Sequence, residues 1–362
     1  MTQHKYLMLC LVSLFLLAVS PALAQYSLLD STPSGLNPAY DSTSYGLGIT
    51  HPRPWDLSIR IFGGYNDNVP LVPYSTFCRG PFERCAKESF YGGFTTIGSY
   101  RLIQNREWLA GVELSFDQVF YDKNIGNAHS SSDPRDYNLT SLNPSVFGRY
   151  FFGFRYGSWV LPMSVGMTYS YQSEWLPIKG PLIWHASVHT LKWDLGADVT
   201  RKLQVKIDYS VSFEDFNRHN SIEARDATTQ SVGLSGTYSF HGGLRQITLG
   251  YQYGTSNAES RNFDIENSHG IKARFRTRVY GPFWLVLDAG TTWEDYKGFI
   301  ADFIPPPGRE WQRIDEYGAQ LLYAVTRHIT FDLFYKYTNW DSNQRQFQAH
   351  RNNGGIGLTY RF

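Results

Sequence analysis

The segment 271–280, IKARFRTRVY, alternates strictly between two kinds of side chain. Apolar or small residues occupy every second position, and the positions between them are Lys272, Arg274, Arg276 and Arg278. Successive side chains of a β-strand point to opposite faces. The pattern therefore predicts a strand with one apolar face and one face that carries four cations. The wall of a membrane barrel accepts both faces, because one meets lipid and the other meets water.

The same two-residue period recurs along the chain from about residue 57 to residue 362. It divides into about fourteen segments, each near the roughly ten residues that a tilted membrane strand needs, and none has a helical period. The connections alternate between two classes. The short ones are 104–107, 153–158, 200–202, 241–245, 281–283 and 326–328. The long ones, richer in Pro, Asn, Asp and Ser, lie near 66–89, 121–137, 173–186, 217–226, 256–267, 298–311 and 341–350.

A soluble β-sandwich or solenoid would also alternate, because it hides one strand face in a core. Three features favour the barrel: uniform strands, two strict classes of turn, and aromatic residues at both ends of the apolar faces. Aromatic residues beside the short turns are Trp108, Phe152, Trp159, Phe240 and Tyr323. Those towards the long loops are Phe120, Tyr169, Tyr171, Phe213, Tyr253, Trp293 and Tyr337. We predict an all-β chain that forms a transmembrane antiparallel up-and-down β-barrel of about 14 strands, with periplasmic turns and extracellular loops.

The N-terminus indicates export. Lys5 precedes an apolar run at 7–19, and Ala-Leu-Ala at 22–24 is typical of a signal-peptide cleavage site. We predict a signal peptide at 1–24, a periplasmic leader at 25–56 and an outer-membrane barrel at 57–362.

Charge and cysteine content narrow the classes of partner. The full chain has 33 Lys and Arg and 32 Asp and Glu. Cleavage after residue 24 removes one basic residue, Lys5, and no acidic residue. Basic and acidic residues of the mature chain then balance, and no net charge attracts nucleic acid. Cys78 and Cys85 lie in one loop, and in an oxidising compartment we expect a disulfide. The sequence indicates no metal site and no cofactor.

Three short motifs resemble known families. The stretch 63–73, GGYNDNVPLVP, resembles the element that opens the barrels of porin-like outer-membrane proteins, some of which are encoded with exopolysaccharide export systems. It is also similar to the barrel start of surface-lipoprotein assembly modifiers. Asn-Pro-Ala at 37–39 resembles a triplet of the long-chain fatty-acid transporters, although a plain periplasmic leader explains it better. Tyr360 and Phe362 resemble the signal that the barrel assembly machinery recognises.

The inward face is predicted to be polar and hydrated, because fixed charges need water or partners. A three-residue turn at 281–283 places Arg276 opposite Asp288, and Lys272 near Thr292 and Glu294. The neighbouring strand offers neutral side chains. In a ring of fourteen strands, Glu113 and Asp117 lie across the lumen from the four cations. The sequence thus predicts a basic wall that faces an acidic wall.

Several functions fit such a lumen. The cations could line a path for small polar or anionic solutes, or form an ion-paired wall without selectivity. A barrel of an export or surface assembly system, with polysaccharide-export partners, is a second class, and an outer-membrane lipid hydrolase is a third. Histidines near the outer half that such a hydrolase could use are His129, His185, His189, His219, His269 and His350. No spacing singles out a catalytic set, so we predict no enzyme. Other expected partners are outer-membrane lipid, lipopolysaccharide and the barrel assembly machinery.

Overall fold

The computed structural model describes residues 54–69, 88–122, 134–157, 159–177, 182–216, 226–259, 264–298, 310–343 and 348–362. The predicted signal peptide, nearly all of the predicted leader, the Asn-Pro-Ala triplet, and Cys78 and Cys85 lie outside these residues. Within the described ranges, no helix is both long and apolar enough to cross a membrane.

Fourteen antiparallel strands form one closed barrel in which each strand pairs with its neighbours in sequence. The strands are β1 (Trp55–Asn66), β2 (Ser89–Gln104), β3 (Trp108–Tyr121), β4 (Leu139–Tyr156), β5 (Trp159–Pro177), β6 (Leu182–Asp198), β7 (Leu203–Phe216), β8 (Ala227–Phe240), β9 (Arg245–Ala258), β10 (Ile265–Tyr280), β11 (Phe283–Tyr296), β12 (Trp311–Ala324), β13 (Ile329–Ser342) and β14 (Ala349–Arg361). A short 3₁₀ helix, Pro134–Tyr137, precedes β4. The predicted fold class and strand number are confirmed.

The barrel closes where β1 pairs with β14. Their register runs from Ser58 opposite Arg361 to Asn66 opposite Asn353, and the backbone N–H of Phe362 donates to the carbonyl of Leu57 at 3.0 Å. Closure leaves no strand edge unpaired, as a membrane barrel requires.

The strands are longer than the sequence pattern predicted. They contain from 12 residues in β1 to 19 in β5, whereas about ten suffice to cross a bilayer. The alternation of apolar and polar residues marks only the part of each strand that would cross a membrane, and the strands extend beyond that part. Pro144 lies inside β4, and the β4–β5 ladder skips from Leu142 to Ser145 at this point because proline has no N–H to donate.

The two faces of the wall differ in exposure. Ile61 on β1 and Leu333 on β13 are 60% and 57% exposed, whereas the adjacent Phe62 and Phe334 are 5% and 2% exposed. In a single-layer barrel the shielded face is the interior. The exposed face carries the apolar side chains, and the large aromatic residues predicted at both ends, such as Trp159 and Phe120, are exposed on it. This outer surface suits contact with lipid.

Candidate functional site

The four cations of β10, which we call the basic row (Lys272, Arg274, Arg276 and Arg278), lie on the inward face. Arg274 is opposite Asp288 and Lys272 is opposite Gly290. The sequence placed Arg276 opposite Asp288 and Lys272 near Thr292 and Glu294. Both placements are wrong by two residues.

The two-residue error has a local cause. The β10–β11 turn is one residue shorter than expected, because β11 already begins at Phe283, and Gly281 turns the chain with a φ of 50°. A bulge between Arg278 and Tyr280 adds the second residue of shift. A shift of two keeps every side chain on its predicted face.

The cations of the basic row have different surroundings. Arg274 Nε lies 2.6 Å from Asp288 Oδ1, and both side chains are partly exposed. The guanidinium of Arg276 stacks over the ring of Trp284 at 4.8 Å, and Arg278 Nε donates to the carbonyl of Gly281. Lys272 is exposed. Neither Lys272 nor Arg278 forms an ion pair with any residue that the structure describes.

The neighbouring strand β9 is neutral where it meets the basic row, as predicted. Gln246, Thr248 and Gly250 are opposite Arg276, Arg274 and Lys272. A neutral neighbour leaves the positive charges unscreened on that side.

The predicted acidic residues fall into three environments. Asp288 is paired with Arg274. Glu113 and Asp117 on β3 are half-buried, and Asp117 accepts a hydrogen bond from Thr95 Oγ1 at 2.6 Å. Neither Glu113 nor Asp117 makes an ion pair within the described ranges, and β3 is seven strands from β10 in either direction. Glu294 is on the inward face but only 1% exposed, so its carboxyl group is shielded from water.

A second charged group, the β4–β7 cluster, was not singled out from the sequence as a unit. Arg149 Nη2 contacts both carboxylate oxygens of Asp194, at 3.0 and 2.8 Å, and Lys206 Nζ lies 3.8 Å from Asp194. Lys192 Nζ lies 2.9 Å from Asp208. These five side chains supply three cations and two carboxylates, and the inward Asp198 and Glu214 on the same strands offset this one-charge excess.

The ion pair of Arg149 on β4 with Asp194 on β6 spans the strand between them. Gly166 on β5 is opposite both residues. A Cβ at this glycine would lie 2.8 Å from Asp194 Oδ1 and 3.1 Å from Arg149 Nε. The absence of a side chain therefore opens the space that the ion pair occupies.

The other side of the lumen carries packed apolar side chains, which the prediction of a polar, hydrated interior did not include. The side chains that we call the apolar wall are the inward, buried and mutually packed Phe62, Tyr91, Val119, Tyr121 and Phe334. They come from β1, β2, β3 and β13, on both sides of the closure. Adjacent glycines in this region, at 63–64, 92–93 and 354–355, could have indicated it, because glycine pairs in strands often mark close approach.

A buried ion pair lies beside the apolar wall. Arg60 on β1 binds Asp332 on β13 at 2.6 Å across β14, and the two side chains are 3% and 2% exposed. The guanidinium also stacks on the rings of Phe62 and Phe334, at 5.2 Å from each. A Cβ at Gly357 would lie 2.5 Å from Asp332 Oδ1, so here too a glycine makes room for a pair that skips a strand.

Two of the histidines near the outer half hydrogen-bond to tyrosines on the outer face. Tyr169 Oη lies 2.8 Å from Nδ1 of His189, and Tyr251 Oη lies 2.8 Å from Nδ1 of His269. His129 and His219 lie outside the described residues. No group of three or more His, Cys, Asp or Glu side chains in the described part of the chain could hold a metal ion.

The C-terminal aromatic residues lie at the end of β14 beside the short turns. The rings of Tyr360 and Phe362 meet edge to face at 4.7 Å, and both side chains are more than 40% exposed. Their recognition by the barrel assembly machinery stays a prediction.

Together these contacts define a lumen with two unlike sides. Strands β4–β11 carry fixed charges of both signs, with four cations grouped on β10, and the strands around the closure carry packed aromatic residues. A hydrated charged surface can attract ions of opposite sign and exclude ions of like sign.

No protein-family model and no curated protein sequence matches the chain. Solved structures resemble it at low identity. A loop-deletion variant of OmpT, an outer membrane protein of Vibrio cholerae, is 11% identical over 86% of this chain and 100% of its own, with a TM-score of 0.43. An anion-selective porin from Comamonas acidovorans is 8% identical over 85% and 98% of the two chains, with a TM-score of 0.41. A Pseudomonas aeruginosa FadL homologue is 11% identical over 85% and 88%, with a TM-score of 0.38. These matches assign the chain to no family.

Proposed function

We propose that this protein is a porin-like channel of the outer membrane that passes small polar or anionic solutes, saccharides among them, through a hydrated part of its lumen. One observation carries the proposal. The basic row lies on the inward face of a closed barrel, and two of its cations, Lys272 and Arg278, form no ion pair with any described residue. Cations without an ion-pair partner on an inward face need water or a mobile anion to balance their charge.

The surroundings favour an effect on mobile ions. The neighbouring strand β9 is neutral beside the basic row, so no carboxylate of that strand offsets the positive charge. Charges of one sign in a cleft with walls of low dielectric constant raise the local concentration of counter-ions. Anions are therefore the solutes that this lumen would concentrate. Glu113 and Asp117 would form the acidic side of a transverse field.

The outward-facing surface of the barrel supports the proposed location in the outer membrane. Apolar side chains such as Ile61, Leu249 and Leu333 are each more than half exposed there. A water-soluble protein rarely exposes so continuous an apolar surface, whereas lipid would cover it. Cell fractionation with an outer-membrane marker tests the location directly.

Planar-bilayer recording of the purified protein tests the channel. The proposal predicts discrete conductance steps and, in a salt gradient, a reversal potential on the side that indicates anion preference. Conductance that prefers cations would contradict the assigned role of the basic row. A protein that inserts but passes no current would contradict the channel itself.

The apolar wall favours a second candidate function. Packed aromatic residues occupy one side of the lumen, as suits a barrel that serves as a scaffold in exopolysaccharide export or surface assembly. Insulating behaviour in bilayers, together with co-purification of a periplasmic export partner, would favour this candidate. A lipid A or phospholipid hydrolysis assay on the same sample separates both from an outer-membrane hydrolase.

A further inference from the structure

Two carboxyl groups are buried side by side at the outer end of the β11–β12 hairpin. Glu294 is 1% exposed and Glu310 is fully buried. Glu294 is opposite Gln312, and the backbone N–H of Tyr296 donates to the carbonyl of Glu310 at 2.9 Å. Two residues further along each strand from the Glu294–Gln312 pair, Tyr296 therefore lies opposite Glu310. The two glutamates occupy diagonal positions on the same face of the hairpin. Side chains at diagonal positions of a sheet are within reach of one another.

Each carboxyl group has one oxygen held by a donor from its own side of the hairpin. Tyr296 Oη donates to Glu294 Oε2 at 3.0 Å, and Gln312 Nε2 donates to Glu310 Oε1. The amide of Gln312 is oriented by Trp340, whose indole N–H donates to Gln312 Oε1 at 2.5 Å. Because an indole can only donate, the NH₂ group of Gln312 must face Glu310. Both carboxyl groups are thus placed as acceptors.

The second oxygen of each carboxyl group is buried without a partner. Glu294 Oε1 and Glu310 Oε2 accept no hydrogen bond from the described residues, and they do not bond each other. No lysine or arginine of the described ranges lies within ion-pair distance of either group. Two ionised carboxylates buried this close repel each other, so a shared proton or a bound cation must offset their charge. Unsatisfied buried polar groups are rare and often indicate a missing water or ion.

We propose that Glu294 Oε1 and Glu310 Oε2 bind a hard divalent cation, Ca²⁺ or Mg²⁺, between the outer ends of β11 and β12. Two carboxylates balance its charge, which removes the cost of burying them ionised. Carboxylate oxygens are the ligands that both ions prefer, and main-chain carbonyls or water complete the coordination shell of such sites. This cation site does not depend on the channel function.

Terbium luminescence tests the site without reference to conductance. Tb³⁺ is a hard cation that replaces Ca²⁺ in oxygen sites, and its emission is sensitised by nearby indole and phenol rings. Trp340 and Tyr296 are such rings. The purified, chelator-treated protein is titrated with Tb³⁺ in detergent, and Ca²⁺ is then added as competitor. We expect saturable emission that Ca²⁺ displaces, and its loss in Glu294→Gln/Glu310→Gln.

The matched control is Glu214→Gln. Glu214 is also a buried inward carboxyl group, at 6% exposure, but Thr229 Oγ1 donates to its Oε1, and neither of its oxygens is both fully buried and without a partner among the described residues. Emission should be unchanged in this variant. Absent emission in the unaltered protein would show that water or protons satisfy the two oxygens, and emission that survives in the double variant would place the cation elsewhere. Either result overturns the proposal.

A milder variant covers the case in which the double substitution prevents folding. Tyr296→Phe keeps both carboxylates and removes the hydroxyl that orients Glu294. Loss of a hydrogen bond behind a metal ligand typically weakens affinity about tenfold or more. We expect that weakening of Tb³⁺ affinity in Tyr296→Phe, and an unchanged affinity would contradict the assigned geometry.

Discussion

The apolar wall and the basic row face the same lumen and are built on opposite principles. At the apolar wall, aromatic side chains and the Arg60–Asp332 pair are withdrawn from water, and no more than 7% of any of the five apolar side chains is exposed. At the basic row, Lys272 is exposed, and the side chains of Arg274 and Asp288 are 35% and 23% exposed. One region is packed like a protein core, and the other keeps its charged side chains partly exposed to solvent.

The difference separates two tasks. The apolar wall lies beside the junction of β1 and β14, where the barrel must close, and burial there stabilises the closure. The basic row lies on β10, which pairs with β9 and β11, its neighbours in sequence. Its charges are therefore not needed to close the barrel. We therefore expect substitutions at the apolar wall to change stability, and substitutions at the basic row to change ion preference.

The largest effect is expected from Gly355→Val at the closure. A Cβ at Gly355 would clash with the backbone carbonyl of Gly63 and lie 2.8 Å from Phe334 Cζ, so β14 could not keep its register with β1. We expect no heat-modifiable folded barrel on gel electrophoresis. Gly148→Val is the control, because a Cβ at Gly148 meets nothing within 4 Å. Equal folding of the two variants would contradict the tight approach at the closure.

The next effect is expected from Asp332→Asn, which leaves the Arg60 guanidinium buried with a neutral partner. Breaking a buried ion pair from one side typically costs about 3–5 kcal/mol. Urea unfolding followed by tryptophan fluorescence should give a free energy of unfolding that is lower by that amount. Arg60→Met/Asp332→Leu should recover most of the loss, since apolar pairs often replace buried ion pairs without cost. A double variant as unstable as the single one would show that the charges themselves are required.

A smaller effect is expected from Asp194→Asn in the β4–β7 cluster. Arg149 and Lys206 keep about a fifth of their side-chain exposure, so water can solvate them when the carboxylate is neutralised. Loss of charge-assisted hydrogen bonds of this kind costs about 1.5–3 kcal/mol. The same urea titration measures it. A loss as large as that of Asp332→Asn would contradict the distinction between the packed and the solvated side.

The smallest effect on stability is expected from Asp288→Asn. Its partner Arg274 is 35% exposed, and partly exposed ion pairs contribute about 1 kcal/mol or less. Removal of this carboxylate increases the excess of positive charge, so the salt-gradient reversal potential should move towards stronger anion preference. Lys272→Gln should move it in the opposite direction with a similarly small stability change. Movement of both variants in the same direction would contradict the electrostatic account.

The sequence was sufficient for the architecture because alternation and turn length are local signals. The long and short connections predicted about fourteen strands, as observed, and the two-residue shift at Gly281 left the faces of β10 and β11 unchanged. The register itself was not predictable, since the bulge between Arg278 and Tyr280 interrupts no alternation. The lengths of the strands were underestimated because apolar and polar residue types no longer alternate in the sequence at ends such as 349–353 of β14.

The interior was predicted only in part. The parity of the strands places Glu294 inward, but its burial depends on Tyr296, Glu310 and Gln312, which pattern alone does not bring together. Phe62 and Tyr91 were missed as interior residues because apolar side chains on both faces of β1 and β2 obscure the period. Ion pairs that cross a strand through a glycine, such as Arg149–Asp194, connect residues 45 positions apart, and only the register of three strands reveals them.

The most direct test of the account is the reversal potential of Lys272→Glu/Arg278→Glu in a low-salt gradient, where screening is weakest. These two cations form no ion pair with the described residues, so their reversal leaves the Arg274–Asp288 pair in place. Arg201→Glu/Lys202→Glu, in the exposed turn before β7, makes the same change of net charge outside the lumen. The account predicts that the first variant loses or inverts anion preference while the second keeps it. An unchanged reversal potential in the first variant, or an equal change in both, would contradict the central claim that the basic row selects the solute.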